Sequence, residues 1–486
     1  MIAALTLAAA VLSAPDTLVV GTLADPVSLD PHRATDLAAA AIVSNVCETL
    51  VRWHPDGSRP EPALATTWAT TDGRRWTFTL RSGVRFHDGA PLDADAVIVN
   101  LEAIARTRGL AARAERIGPS VVGITLEQPN AALLATLSQP FFSLVSPRTL
   151  AAGGPAAAVG TGPFVLVSAR PGLVELRANP GYWGGAPRLA RVLFQRAPDA
   201  AALAGRLIAG EVDLSTALSE TELRRLRDRD DTALDTRTGL NIAFLSVNNE
   251  KDGWQDRRVR QALARAIDRP ALVQEALGGH GEPARNPLPP SLWGYATRTR
   301  ELMLDRTASR RLLREAGYAG GLETTLLAVD APRPYNPAPL RVAERVVADL
   351  AEVGIRARVR LAASWADFLD RATRGDYDLA VMGWQADTTD PNDFLSALLG
   401  SDAVGTTNRS RYRSPVMDGL LRHGRRTANL RERVAIYGEA QMLFQRDMPW
   451  VPLYHVSVST AYRRSLRGLA VGPTGLSRFD KVWKTQ

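Results

Sequence analysis

Three aspartates at intervals of three residues follow a tryptophan in the segment GWQADTTDPNDFL, residues 383–395. Carboxylates at this spacing could bind a metal ion, act as acid and base on a substrate, or hold the cationic end of a ligand. Calcium is disfavoured, because an EF-hand loop needs glycine at its sixth position and glutamate at its twelfth. This chain has Asn392 and Leu398 there.

Two of the three aspartates have a structural explanation. Asp390 precedes Pro391 and an apolar run, which predicts a helix with an N-cap aspartate and proline in its first position. Asp393 then falls in the first turn, where an acidic side chain favours the helix dipole. Asp387 is left without such a role. It follows the apolar segment YDLAVMGW, and open α/β sheets bind ligands at the carboxyl ends of their strands.

A cationic residue occupies the same kind of position. The segment LETTLLAVD predicts a strand, APRPYNPAP a stiff loop rich in proline, and a helix follows from about Leu340. Arg333 is therefore expected near the carboxyl end of a second strand. Most arginines in a chain with so many of them are expected to lie on the surface, so its position alone is weak support for a binding role.

The predicted helices and strands that must position these residues alternate along the chain. The segment DTLVVGTL predicts a strand and residues near Asp36 begin a helix, whereas residues 53–147 read as an α+β region with antiparallel strands. From Asp256 to the 450s, helices alternate with strands. This alternation predicts a second α/β domain around a mostly parallel sheet.

Composition excludes several classes of protein. The 486 residues carry a net charge of +8, but the arginines are dispersed and form no basic block with interleaved aromatic residues, so nucleic-acid binding is not expected. The single cysteine, Cys47, permits no internal disulfide and is predicted to be a buried, inert thiol. The chain has no phosphate-binding loop, HExxH or GxSxG motif, and histidines are not paired at ligand spacing, so neither a metal nor a cofactor is predicted.

The first 14 residues, within MIAALTLAAAVLSAPDTL, have the short apolar run of a secretory signal peptide but lack its positive start. We interpret residues 1–14 as a signal peptide with a truncated start. Later segments are too short or too polar to predict a membrane span.

Several longer motifs together indicate a family. They are PEPALATTWATTDGRRWTFTLRSGVRFHDGAPLDADAVIVNLE, GTGPFVL, NPGYWGG, DRRVRQALARAIDRPALV, NPLPPSLWGY, RPYNPAPLRVAERVVADLAEVGI and MGWQADTTDPNDF. From about Thr17 to the 470s the chain resembles the family 5 extracellular solute-binding proteins of ABC importers. The last three motifs resemble its dipeptide-binding branch.

The resemblance implies an α/β, bilobal type II periplasmic binding fold with an extra α+β domain inserted in the first lobe. Crossovers between the lobes are expected near Leu240 and Pro452. The implied divisions are residues 15–44, 160–238 and 453–486 for the first lobe, 45–159 for the inserted domain, and 239–452 for the second lobe.

The resemblance also implies roles for individual residues. In the dipeptide-binding branch, the aspartate of the GWxxD segment holds the ligand's ammonium group and the arginine of RPYNP holds its carboxylate. These positions are Asp387 and Arg333, with Trp384 and Tyr335 beside them as apolar walls. The chain departs from that branch at Ala386, where the branch has glycine, and in the loop after Gly400.

The function implied is capture of a short peptide in the periplasm and its delivery to an inner-membrane ABC permease with its ATPase, by a monomer that is not an enzyme. One alternative is a hydrolase that uses paired carboxylates. Another is a receptor of the same fold for a different solute, such as haem, glutathione or a metal chelate, because fold alone does not select the ligand.

Overall fold

The computed structural model describes residues 16–152, 158–299, 301–472 and 474–485. The segment interpreted as a signal peptide, residues 1–14, lies outside the described residues. The chain divides into two compact units, one of residues 1–237 and 458–486 and the other of residues 238–457. The chain passes from the first unit to the second in the Thr232–Thr238 strand, and it returns within the long Trp450–Arg463 strand.

The first unit contains a mixed sheet around its first strand. Thr17–Thr22 pairs in parallel with Arg191–Arg196, which pairs antiparallel with Leu173–Ala178. Leu173–Ala178 is also antiparallel to Phe164–Arg170, with which it forms a hairpin. The first strand is apolar and almost wholly buried, as expected for a strand with neighbours on both sides.

A separate antiparallel sheet lies in the region that was expected to be α+β. Its strand order is Ala65–Thr70, Arg75–Leu80, Val121–Leu126 and Ala112–Gly118. Alternate residues Trp76, Phe78 and Leu80 are buried, so one face of the sheet packs on a core that residues between Leu50 and Leu144 form.

The remaining elements of the first unit are short or cover these sheets. Cys47 is buried as predicted at the end of the first described helix, which Asp36 caps. The strands are Thr17–Thr22, Val51–Trp53, Pro60–Pro62, Ala65–Thr70, Arg75–Leu80, Ala112–Gly118, Val121–Leu126, Phe164–Arg170, Leu173–Ala178, Arg191–Arg196, Leu214–Ser215, Thr232–Thr238, Leu466–Arg467 and Trp483–Lys484. The helices are Leu37–Val46, Ala94–Arg108, Leu133–Leu137, Pro147–Ala152, Ala200–Ile208 and Glu220–Arg227, with a 3₁₀ turn at Pro140–Phe142.

The second unit is built on a mixed sheet. Leu322–Ala328 is parallel to both Ile355–Leu361 and Leu379–Gln385, which is the expected α/β pattern. Asn241–Val247, however, runs antiparallel to both Leu379–Gln385 and Trp450–Arg463. The prediction of a mostly parallel sheet was therefore wrong for this half of the sheet, because strand direction depends on long-range connections and not on the local apolar pattern.

Helices pack on this sheet through regularly spaced apolar residues. In Pro339–Ala351, Val342, Val346 and Leu350 are buried at intervals of one turn. The strands of the second unit are Asn241–Val247, Gly281–Pro283, Leu322–Ala328, Ile355–Leu361, Leu379–Gln385 and Trp450–Arg463. The helices are Arg257–Ala266, Arg269–Leu277, Arg306–Glu315, Pro339–Ala351, Trp365–Arg374, Pro391–Leu399, Pro415–Arg426 and Leu430–Asp447, with a 3₁₀ turn at Ser401–Ala403.

None of the helices in the described part of the chain is long and apolar enough to cross a membrane.

Candidate functional site

Arg333 lies on a tight turn beyond the carboxyl end of the Leu322–Ala328 strand. The backbone N–H groups of Arg333 and Asn336 each donate to the other residue's carbonyl at 2.9 Å. The buried side chain of Asn336 accepts a hydrogen bond of 2.9 Å from the hydroxyl of Tyr454. The turn is thereby fixed to the Trp450–Arg463 strand, and Arg333 has a defined starting position.

The guanidinium of Arg333 stacks on an aromatic ring. Its central carbon lies 4.0 Å from the ring centroid of Trp365, and Trp365 stacks in turn on Phe368 at 5.4 Å. The Nε atom of Arg333 is buried and lacks a hydrogen-bond partner among the described residues. Because a buried donor without an acceptor is costly, this arginine is poised for an acceptor from outside the chain.

A small pocket forms around this arginine at the edge of the sheet. Arg333, Tyr335, Asn336 and Trp365 supply its polar and aromatic lining. All its lining residues belong to the second unit: Ala328, Val329, Ala331, Arg333, Tyr335, Asn336, Pro339, Trp365 and Val381.

Asp387 follows the carboxyl end of the Leu379–Gln385 strand, the parallel neighbour of the strand that leads to Arg333. Its side chain is exposed, and its carboxylate makes no hydrogen bond or ion pair with the part of the chain that the structure describes. Nearby protein atoms partly desolvate the carboxylate and raise the pKa of Asp387 above its ordinary value. Arg333 and Asp387 are not paired with each other, so both charges remain available.

The loop that carries Asp387 is held by Asp393. One carboxylate oxygen of Asp393 accepts from the backbone N–H groups of Asp387 and Thr388, at 2.9 and 2.8 Å. The other accepts from the indole N–H of Trp384 at 3.3 Å. Burial raises the pKa of Asp393 to about 6 against these hydrogen bonds, and the neighbouring charge of Asp387 adds to the rise.

Asp390 caps the Pro391–Leu399 helix as predicted, since its side chain accepts from the Asn392 N–H at 2.9 Å. It has a second role that the sequence did not indicate. Arg433 donates to both oxygens of Asp390, at 2.7 and 2.8 Å, and the two side chains are almost completely buried. Asp390 is therefore a structural residue.

The two predicted aromatic residues are both half-buried and lie on opposite sides of one glycine. The ring of Tyr335 lies directly against Gly383, so a Cβ atom there would collide with it and would also come within 2.6 Å of the Ile242 carbonyl oxygen. Trp384 follows Gly383 and is tied to Asp393. Glycine at 383 thus permits the close packing of the Arg333 turn on the strand that leads to Asp387.

The structure brings Arg333 and Tyr335 into one pocket and places Trp384 and Asp387 on the next strand end, outside the residues that line that pocket. Sequence reasoning missed Trp365, which lies against Arg333. The sequence gave no local signal for it, because Trp365 begins a later helix and only the fold brings it to Arg333.

Across the described ranges, no group of three or more histidine, cysteine, aspartate or glutamate side chains is placed to hold a metal ion. What remains is an unpaired cation, an unpaired anion and aromatic walls, an arrangement that can bind a small charged solute.

Comparisons with known proteins define the class. A family model described as bacterial extracellular solute-binding proteins, family 5, matches residues 59–406, more than half of the chain. The chain belongs to this family of ABC transporter solute-binding proteins. It therefore acts by binding a solute and is not an enzyme, and the hydrolase alternative is set aside.

The relatives include proteins named for different ligands. The haem-binding protein A of Haemophilus influenzae is 30% identical, over 97% of this chain and 92% of the relative. The dipeptide-binding protein of Escherichia coli K12 is 29% identical, over 87% of this chain and 85% of the relative. A solved structure of the dipeptide-binding protein of Pseudoalteromonas sp. SM9913 with Met-Leu has a TM-score of 0.74 and 27% identity, covering 96% of this chain and 100% of that one. The comparisons confirm the expected fold and class and leave the ligand open.

Proposed function

We propose that this protein binds dipeptides in the periplasm and delivers them, as a monomer, to an inner-membrane ABC permease and its ATPase. The observation that carries this proposal is the pair of opposite, unpaired charges at the ends of adjacent parallel strands. Arg333 would bind the terminal carboxylate of the peptide and Asp387 its terminal ammonium. Trp384 and Tyr335 would provide apolar walls.

The chemistry of a dipeptide suits these two groups. Both ends of a zwitterion lose water on entering a binding site, so each end needs an opposite charge that also forms hydrogen bonds. Arginine can donate two parallel hydrogen bonds to a carboxylate, and its stacking on Trp365 orients that fork. An ionised aspartate only accepts, as an ammonium group requires. The names of the relatives from E. coli and Pseudoalteromonas support the same ligand class.

Calorimetric titration with Ala-Ala tests the two roles. Arg333→Ala and Asp387→Ala should each weaken binding by roughly 30-fold to several thousand-fold, because each leaves one ligand charge unpaired. Ala-Ala amide should lose affinity for the wild type through Arg333, and N-acetyl-Ala-Ala should lose it through Asp387.

A matched pair of control variants lies in the same unit. Arg374 and Asp370 form an exposed ion pair at 2.7 Å, and Arg374→Ala and Asp370→Ala should leave affinity unchanged. If amidated and acetylated peptides bind the wild type as tightly as Ala-Ala, neither residue is a terminal clamp and the dipeptide proposal fails.

A second candidate is haem, which is favoured by the name of the Haemophilus influenzae relative. None of the residues that line the described pocket is a histidine, and His455 is buried with its Nδ1 2.6 Å from the Asn241 carbonyl oxygen. Titration with haem, followed by its absorbance, distinguishes the candidates. Saturable haem binding that Ala-Ala does not displace would favour this second function.

A further inference from the structure

Asn336 is a buried residue of the turn that carries Arg333. It lies three positions after Arg333, and the backbone N–H of each residue donates to the carbonyl of the other at 2.9 Å. The residue is only 5% exposed, and it lines the same pocket as Arg333. Two polar residues of one tight turn are therefore held at one small pocket.

The hydroxyl group of Tyr454 orients the side-chain amide of Asn336. This fully buried tyrosine donates to the Oδ1 atom at 2.9 Å. Because Oδ1 and Nδ2 are bonded to the same carbon atom, the hydrogen bond that holds Oδ1 also fixes Nδ2. The Nδ2 atom carries two N–H donors and forms no hydrogen bond with the part of the chain that the structure describes.

This unused donor distinguishes Asn336 from the other buried asparagines in the described ranges. Each of the others donates from Nδ2 to at least one backbone carbonyl, and these residues are Asn45, Asn100, Asn241, Asn248, Asn286 and Asn408. A buried amide donor without an acceptor is costly, so such donors are normally satisfied within the fold. The exception lies in the pocket of the candidate site, which indicates that the acceptor comes from the ligand.

A carboxylate can accept more hydrogen bonds than one arginine supplies. Its two oxygen atoms offer about four positions for donors, and the parallel pair from Arg333 uses two of them. We propose that the Nδ2 atom of Asn336 donates a hydrogen bond to the terminal carboxylate of the peptide, the same group that Arg333 binds. This inference rests on the proposed peptide function and adds a second, neutral donor to the recognition of that carboxylate.

Calorimetry with Ala-Ala and Ala-Ala amide tests this role. Asn336→Asp keeps an acceptor for the Tyr454 hydroxyl but replaces the donor with an anion. The preference for Ala-Ala over its amide should therefore shrink by roughly 10- to 100-fold. Discrimination between Ala-Ala and N-acetyl-Ala-Ala should not change, because it depends on Asp387 at the other strand end. A purely structural defect would instead weaken the binding of all three peptides equally.

A second variant and a control separate the donor from the added charge. Asn336→Ala removes the donor without creating an anion that could pair with Arg333, and the preference should shrink about tenfold. Asn429→Asp is the matched control, because Asn429 caps the Leu430–Asp447 helix through its Oδ1 atom and aspartate is an equally good cap. This control should keep the wild-type affinity for both peptides.

A crystal structure of the wild type with Ala-Ala tests the contact without any variant. A carboxylate oxygen should lie within about 3.2 Å of Nδ2, and a separation beyond about 4 Å would overturn the proposal whether or not the variants fold. An unchanged preference in a folded Asn336→Ala would likewise overturn it and leave the peptide function standing. Failure of Ala-Ala to bind the wild type would overturn both.

Discussion

The charged residues of the candidate site are distinguished by the absence of an ion-pair partner in the described part of the chain. Several other arginines of the second unit have ion-pair partners, as Arg433 has in Asp390 and Arg345 has in Asp349 and Glu275. Arg333 and Asp387 have no such partners in the described part of the chain. An unpaired charge in a partly desolvated position lowers stability, so its presence indicates a ligand that supplies the missing charge.

Stacking on Trp365 gives Arg333 an orientation without using its hydrogen-bonding groups. The ring faces the guanidinium at 4.0 Å, which leaves the edge of the guanidinium plane free for a carboxylate. An ion pair at this position would have fixed the side chain equally well but would have occupied the same donors.

The pH dependence of binding follows from Asp387. Only the ionised carboxylate attracts an ammonium group, and desolvation by nearby protein atoms raises the pKa of Asp387 above its ordinary value. Affinity for Ala-Ala should therefore fall as the pH decreases through that raised pKa. Calorimetry over a series of acidic buffers measures this.

Asp387→Asn is the reference for that series, because Asp393 titrates in both proteins, with a pKa of about 6 in the wild type and a lower one where the neighbouring charge of Asp387 is removed. The difference between the wild type and Asp387→Asn isolates the contribution of Asp387. Parallel profiles for the two proteins would show that Asp387 does not contact the ligand.

At the scale of elements, the site depends on how two strands end. A short segment follows each of the two parallel strands. Asn336 holds the Arg333 turn through backbone hydrogen bonds, and the carboxylate of Asp393 holds the Asp387 loop through backbone N–H groups of that loop. The backbone that carries Arg333 and Asp387 is therefore positioned before a ligand arrives. Pre-organisation of this kind reduces the entropic cost of binding.

The Pro391–Leu399 helix behind that loop depends on the buried pair Asp390–Arg433. Asp390→Ala removes the helix cap and leaves Arg433 buried without its counter-charge, so it should lower the free energy of unfolding by about 3–5 kcal/mol. Denaturant unfolding followed by tryptophan fluorescence measures the loss, and Trp293, whose ring centroid lies 5.0 Å from the Arg433 guanidinium carbon, reports on this region.

Removal of an exposed acid gives the control. Asp370→Ala should change the free energy of unfolding by no more than about 0.5 kcal/mol. A loss below about 1 kcal/mol in Asp390→Ala would contradict the structural role of the pair, and a folded variant that no longer bound Ala-Ala would place Asp390 in the site instead.

At the scale of the whole molecule, all the residues proposed to bind the ligand belong to the second of the two units. Sequence expectations placed the crossovers near Leu240 and Pro452, and the units divide at residues 237/238 and 457/458. A ligand held by Arg333 and Asp387 should consequently stabilise the second unit directly.

The linkage between ligand binding and folding gives the size of this stabilisation. Ala-Ala at a concentration of about 100 times its Kd should add about 2.7 kcal/mol to the stability of the unit that binds it. For a unit of this size, the corresponding transition should move upward by about 5–11 °C in differential scanning calorimetry. Arg333→Ala at the same peptide concentration should show almost no shift, and an equal shift would mean that the peptide binds elsewhere.

The sequence alone determined the features that depend on short stretches of chain. Apolar periodicity predicted the strands on either side of the site, and the Asp390-Pro391 pair predicted the helix cap, because these signals act within a few residues. The motifs around Arg333 and Asp387 indicated the family, which the comparisons confirmed.

Only the tertiary structure decided which charges are paired. The chain has many arginines, and the sequence does not show that Arg433 pairs with Asp390, that Arg411 pairs with Glu250, or that Arg333 stacks on Trp365. These partners come from distant segments that the fold brings together, and strand direction in the sheet depends on the same long-range connections. That Arg333 has no ion-pair partner in the described part of the chain is therefore a property of the folded molecule, because a missing partner can be recognised only when the neighbours are in place.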